Sequence, residues 1–290
     1  FIVGLTVTFS TEILMKLFGS FLAPGHIAAM NYALRIMFIL VGFFGQAIGM
    51  ASYPFMAGIA ATGDMDRLNH VINQTLKFIF LVIPFSILFM VLRYEIVMIL
   101  FQRGAFDADA TRLTAGVLPF FMAGAFAFSA QTFVARGFYA LENTLFPALV
   151  TTGCMLAGLP VIYGCMKAFG VNGVALGLSG TVIVSTFVLF ASWNTKTRNP
   201  GKNRVYLFLA RLILASLGVG AIVSGIHQGL IRVIPPETFF CAFSVCIVTG
   251  LAFLVLMPVA GRLLNIPEIM TVYEKTARRL MPWQKIFPRF

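Results

Sequence analysis

Eight stretches of this chain stay apolar for long enough to cross a lipid bilayer as helices: roughly 1–22, 31–60, 76–101, 113–136, 146–168, 171–193, 206–230 and 238–260. A spanning helix needs about 20 such residues. Hydrocarbon offers no hydrogen-bond partners, so only helices and closed barrels satisfy their backbones there. Barrel strands are short and alternate apolar with polar residues; these runs are long and continuous. Charged residues make up 11% of the chain, against about 25% in soluble proteins, and the deficit extends along its whole length. The expected fold is all-α, a polytopic membrane protein of about eight transmembrane helices.

The gaps carry turn chemistry. Pro24-Gly25, Thr62-Gly63-Asp64, Asn199-Pro200-Gly201 and Pro235-Pro236-Glu237 separate spans, and Asp107 to Thr111 offers N-cap residues to the fourth. Internal Pro84, Pro119 and Pro160 predict kinks. Gly45/Gly49 and Gly173/Gly177 are GxxxG pairs, which permit close helix contact but also arise by chance in a glycine-rich chain. The net charge of +11 is no nucleic-acid patch, because it sits in the gaps and the tail. Of 21 Lys and Arg, fourteen lie in 60–77, 136–146, 194–211 and the tail from 261, and five lie in the opposite loops. The positive-inside rule then puts both ends in the cytoplasm. The 261–290 segment mixes basic and apolar residues, as an interfacial helix or a solvated tail would. Cys154, Cys165, Cys241 and Cys246 lack metal-ligand spacing and read as buried small residues. Phe1 starts directly in apolar sequence with no signal-peptide n-region, so the chain reads as the middle of a longer protein.

Charges inside spans cost roughly 2.5–3.5 kcal/mol on insertion scales and therefore point to function. Glu12 and Lys16 stand four apart on the first helix, a spacing that permits an ion pair. Arg35 follows Asn31 and Tyr32 about one turn into the second helix, with no acid within a turn. It either snorkels to the outer interface or lines a polar cavity and grips a phosphate with its fork of donors. Gln46 and Gln131 are further cavity candidates or interhelical glue. No HExxH, GxSxG, Walker A or dinucleotide fingerprint occurs, so neither a soluble-type catalytic site nor a metal or other cofactor is expected.

Three segments share order and spacing with one known family. Leu100-Phe101-Gln102-Arg103-Gly104-Ala105-Phe106 with Thr111 is similar to its LFxRGxF…DT segment. Arg136-Gly137-Phe138-Tyr139-Ala140 with Thr144 and Pro147 is similar to its RxFYAxxDTxTP loop. Upstream, Phe18-Gly19-Ser20-Phe21-Leu22, Gly25, Tyr32-Ala33, Arg35, Gly42, Gly45 and Pro54 follow its FASFL…YADR…P run. The chain thus resembles the second half of the MurJ/MviN family, the bacterial lipid II flippases of the MOP exporter superfamily. Departures are Leu34 for the acid beside the arginine, Met15 for an acid of the first helix, Ala110 for the Asp of the DT pair and Asn143 for that of the second loop.

The resemblance implies that 1–193 is the second six-helix lobe of a two-lobe transporter, 194–205 a cytoplasmic basic loop, 206–260 two additional helices beside a lipid-tail groove, and 261–290 a basic cytoplasmic tail. It implies a multi-pass protein of the bacterial inner membrane that flips lipid II outward by alternating access, with membrane potential or an ion gradient as the energy source. Arg35 would be the cavity arginine. The partners would be the lipid-linked cell-wall precursor, bilayer lipids and an N-terminal lobe. Alternatives are export of another lipid-linked oligosaccharide or small molecule, a membrane enzyme acting on polyprenyl-phosphate lipids, and a scaffold with a vestigial cavity.

Overall fold

The computed structural model describes residues 2–236, 238–264 and 266–270. Every regular element among them is helical. In chain order these are α1 (Ile2–Gly19), α2 (His26–Val41), a π-helical stretch (Gly42–Gln46), α3 (Ala47–Ala61), α4 (Met65–Phe80), α5 (Val82–Val91), α6 (Arg93–Phe101), α7 (Ala108–Met122), α8 (Ala125–Ala140), α9 (Leu145–Lys196), α10 (Lys202–Val233) and α11 (Phe239–Leu263). The part of the expected tail at 271–290 lies outside the described residues.

Five helical stretches among the described residues are long and apolar enough to cross a membrane, or six if the bent pair α7–α8 counts as one span. The expected figure of about eight is not reached on that measure. One contributor is α9, whose 52 residues form two arms meeting at Gly170. Gly170 has φ +58 and ψ −131, a conformation that a side chain would resist. The arms fold back on each other with almost no space between backbones. A Cβ on Gly177 would come within 2.8 Å of the Ile162 Cα, and one on Gly158 would reach the Thr181 side chain. A Cβ on Gly173 would strike the carbonyl of Cys165. The Gly173/Gly177 pair is therefore a true packing ridge.

Boundaries moved where polar residues hide a helix. The third expected span, 76–101, is preceded by α4, which begins at Met65. Its Leu68, Ile72, Leu76 and Ile79 form a buried stripe while its charged residues face out. The chain turns at Leu81, three residues before Pro84, which has no N–H to give the preceding turn. It breaks again at Leu92, between α5 and α6. The expected basic loop at 194–205 shrinks to 197–201, because α9 continues to Lys196 and α10 starts at Lys202. Asp107 caps α7 as expected, its carboxylate accepting from the Ala110 N–H at 2.8 Å. The four cysteines are free and half-buried rather than fully buried.

The basic gaps gather at one end of the bundle. Asn69 of α4 accepts from the Trp193 indole (2.9 Å) and the Thr197 hydroxyl (2.8 Å), and donates to the Thr197 carbonyl (3.2 Å). Asn73 and Asn199 exchange two amide hydrogen bonds. Lys77 pairs with Glu268 at 2.9 Å, and Phe138 at the end of α8 packs edge-on against Trp193. We expect Asn69→Ala to destabilise the fold by about 1–3 kcal/mol, because it orphans the buried Trp193 indole N–H, while the Thr197 hydroxyl keeps the Trp193 carbonyl at 2.9 Å. A detergent melting curve unchanged by the substitution would contradict this.

Candidate functional site

The α1–α2 turn brings two charged positions of α1 beside the first turns of α2. Glu12, Lys16, Asn31, Tyr32 and Arg35, with Ala28, Leu34 and Phe38, line one groove of about 410 Å³ on the bundle surface. Lys16 and Arg35 are exposed and Glu12 is half-buried. Glu12 and Lys16 form no ion pair with each other, nor does Arg35 with any acid, among the described residues. The groove thus offers two unneutralised cations and one carboxylate. Asn31 spends its amide on the Ile27 carbonyl one turn back, at 3.0 Å.

Tyr32 is the keystone of this wall. Its ring packs against Phe101 (4.7 Å between centroids) and edge-on against Phe106 (5.0 Å). The Arg35 guanidinium sits 5.8 Å from the centre of the same ring, an attraction worth about 0.5–1 kcal/mol at an exposed site. The LFxRGxF loop is the scaffold for that stack. Gly104 turns it at φ +61, Arg103 closes it by donating to the Leu100 backbone carbonyl, and the Thr111 hydroxyl donates to the Gln102 side-chain Oε1 at 3.0 Å. The loop therefore sets where Arg35 points. We expect Phe106→Ala to destabilise this corner by about 0.5–1.5 kcal/mol beyond the area it exposes, the worth of one aromatic pair. An unchanged detergent melting curve would contradict this role.

The other candidates lie elsewhere. Gln131 is buried, donates to the Ser185 hydroxyl at 2.8 Å and ties α8 to the second arm of α9. Gln46 is exposed on the π-helical stretch, and its backbone carbonyl accepts from Arg136 of α8 at 3.4 Å. Gly49 makes room for that guanidinium, and Gly45 lets α8 approach at Ser129. In the second motif loop Phe138 is buried between Phe146 and Trp193 (5.2 Å each), beneath the Lys196 ammonium. Asn143 keeps the acceptor role of the acid it replaces, taking the Phe146 N–H at 3.1 Å. Tyr139 is half-buried on α8, Thr144 is exposed just before α9, and Pro147 is buried in the first turn of α9. This loop stands apart from the Arg35 groove, and its Phe138, Asn143 and Phe146 line a separate groove of about 540 Å³ with Lys196.

Sequence reading missed one pair. Glu95 of α6 and His227 of α10 meet at 2.9 Å. Both fall inside spans drawn from hydropathy alone, so an acid within 76–101 and a histidine within 206–230 were the available signal.

The model of the family described as lipid II flippase MurJ matches residues 1–249. The chain belongs to this family. A "Probable lipid II flippase MurJ" of Rhizobium tropici is 34% identical over 128 residues, covering 44% of this chain and 24% of that protein. One of the same name from Buchnera aphidicola subsp. Acyrthosiphon pisum is 24% identical over 270 residues, covering 91% and 53%. This chain thus spans about half the length, or less, of these curated relatives. A solved lipid II flippase MurJ in an inward closed conformation superposes with a TM-score of 0.68 at 19% identity, covering 90% of this chain and 53% of that one. A MOP superfamily transporter from Pyrococcus furiosus superposes at 0.53 with 15% identity, over 93% and 65%. These likenesses show that the chain shares the fold of the matching parts of those two structures.

Proposed function

We propose that this chain forms one wall of the cavity of a lipid II flippase in a bacterial cytoplasmic membrane, with its basic loops and both ends on the cytoplasmic side. The reading rests on one observation: Lys16 and Arg35, neither of them in an ion pair, converge on a groove whose Tyr32 is braced by Phe101 and Phe106. A pyrophosphate is the ligand that such a groove suits. The flat, forked guanidinium takes two phosphate oxygens at once, and the ammonium adds a point charge. Glu12 supplies a competing carboxylate that keeps the groove from trapping its anion. Residues 1–193 act as one lobe, and a second lobe closes the cavity and alternates its access, driven by membrane potential or an ion gradient. The protein moves a lipid and breaks no bond.

The test is flipping of labelled lipid II by the full-length protein in proteoliposomes. We expect lipid II to be moved and an undecaprenyl-linked sugar lacking the pyrophosphate to be moved at least about tenfold more slowly, a ratio that needs only ~1.4 kcal/mol of discrimination. Equal rates for both would make the protein a broader exporter of lipid-linked oligosaccharides. No transport of either would overturn the proposal.

A further inference from the structure

Glu95 is the most deeply buried acid among the described residues, with 2% of its side chain exposed. One oxygen, Oε1, lies 2.9 Å from the Nε2 of His227, itself only 12% exposed. The other, Oε2, has no hydrogen-bond partner among the described residues. The pair crosses the seam where α10 meets α5 and α6. It also borders a groove of about 560 Å³ lined by Arg93, Tyr94, Ser224, Gln228 and neighbouring apolar side chains. An ionisable pair at this depth has no evident stabilising purpose, because apolar residues of the same volume would hold the seam as well or better. Ionisable groups retained inside a membrane protein are by default functional.

The surrounding charges define what the pair can bind. On α6, Arg93 and Tyr94 share the groove with Glu95. On α10, Arg232 follows His227 by just over one turn and is exposed. From α11 the Cys246 thiol comes within electrostatic reach of Glu95. Helix α5 contributes no ionisable residue. Asp109 and Arg112 of α7 face each other at 3.7 Å in the open. Among the described residues, no anion other than Glu95 faces His227.

With one proton the pair is neutral overall, whether the proton sits on the imidazole or the carboxyl, and one hydrogen bond joins the helices. A second proton leaves an imidazolium against a neutral acid, close to Arg93. Loss of the only proton leaves a bare carboxylate facing a neutral ring. Both changes strand a net charge in a low-dielectric seam, and both reduce the contact from a neutral pair to one hydrogen bond that carries an uncompensated charge. We propose that Glu95 and His227 form a proton-binding site in the membrane seam, and that its singly protonated state holds α10 and α11 docked on the rest of the bundle.

The experiment uses the full-length protein in proteoliposomes, with spin labels at the exposed positions Leu100 and Val233 and the four native cysteines of this chain replaced by alanine. The docked fraction is read from the distance distribution across a pH series. We expect a maximum with a fall on both sides, approaching about tenfold per pH unit, the slope of a one-proton equilibrium. Glu95→Gln and His227→Gln should each abolish that profile. The paired change Glu95→Leu with His227→Leu, which refills the seam, should leave α10 docked at every pH. A wild-type profile without a maximum, or the same profile in the leucine pair, would overturn the proposal even if the single variants fail to accumulate.

Discussion

Replacing Arg35 by alanine should abolish rescue of flippase-depleted cells by the full-length protein, while membrane levels stay normal. Arg35 is exposed in a groove and buries no apolar surface that the fold depends on, so its loss is a loss of binding. A bidentate, charge-assisted contact to phosphate is worth about 1.5–3 kcal/mol, or about a 10–150-fold weaker grip. Arg35→Lys should recover only part of this, because an ammonium cannot span two oxygens and stacks less well on Tyr32. Growth of the alanine variant at wild-type rate and expression would remove Arg35 from the substrate path. Lys16→Ala should have the same direction and a smaller size, since the ammonium adds charge without geometry.

The second large effect is structural. Gly173→Leu should prevent the two arms of α9 from closing and deplete the folded protein from the membrane. Any Cβ at this position meets a backbone carbonyl, which cannot swing aside as a side-chain tip can. Even one methyl forces the arms apart and forfeits contacts along the hairpin, and overpacking of this kind costs about 1–3 kcal/mol before a larger side chain adds to it. Gly164 and Gly180 lie on the same two arms with open space at their Cβ positions. Alanine there is the control and should leave accumulation and thermal stability unchanged. Equal losses at Gly173 and Gly180 would show that glycine content, and not close approach, governs the hairpin.

The membrane class, the family and the groove residues on α1 and α2 were legible because each rests on a local signal. Hydropathy marks a span, and Glu12, Lys16 and Arg35 are conspicuous in apolar sequence. What escaped depends on partners distant in the chain. Gln131 bonds Ser185, 54 residues away, and lines a small cavity with it, a combination that no local pattern announces. Glu95 sits at a helix start with arginine two residues before it, where it passes for an interfacial residue until His227, 132 positions later, arrives against it. Met65 to Leu76 was passed over because its polar residues break the apolar run, although its buried stripe at helical spacing was there to be counted. The GxxxG signals were ambiguous for the same reason: open space or a carbonyl beside a glycine is decided by another segment.

The asparagines of α4 have a consequence for how this protein is made. Asn69 and Asn73 find their partners 124 to 128 residues downstream. A nascent chain must therefore emerge beyond residue 199, both arms of α9 included, before those amides are satisfied. Chains that end before residue 199 leave those amides without the partners that join α4 to the end of α9.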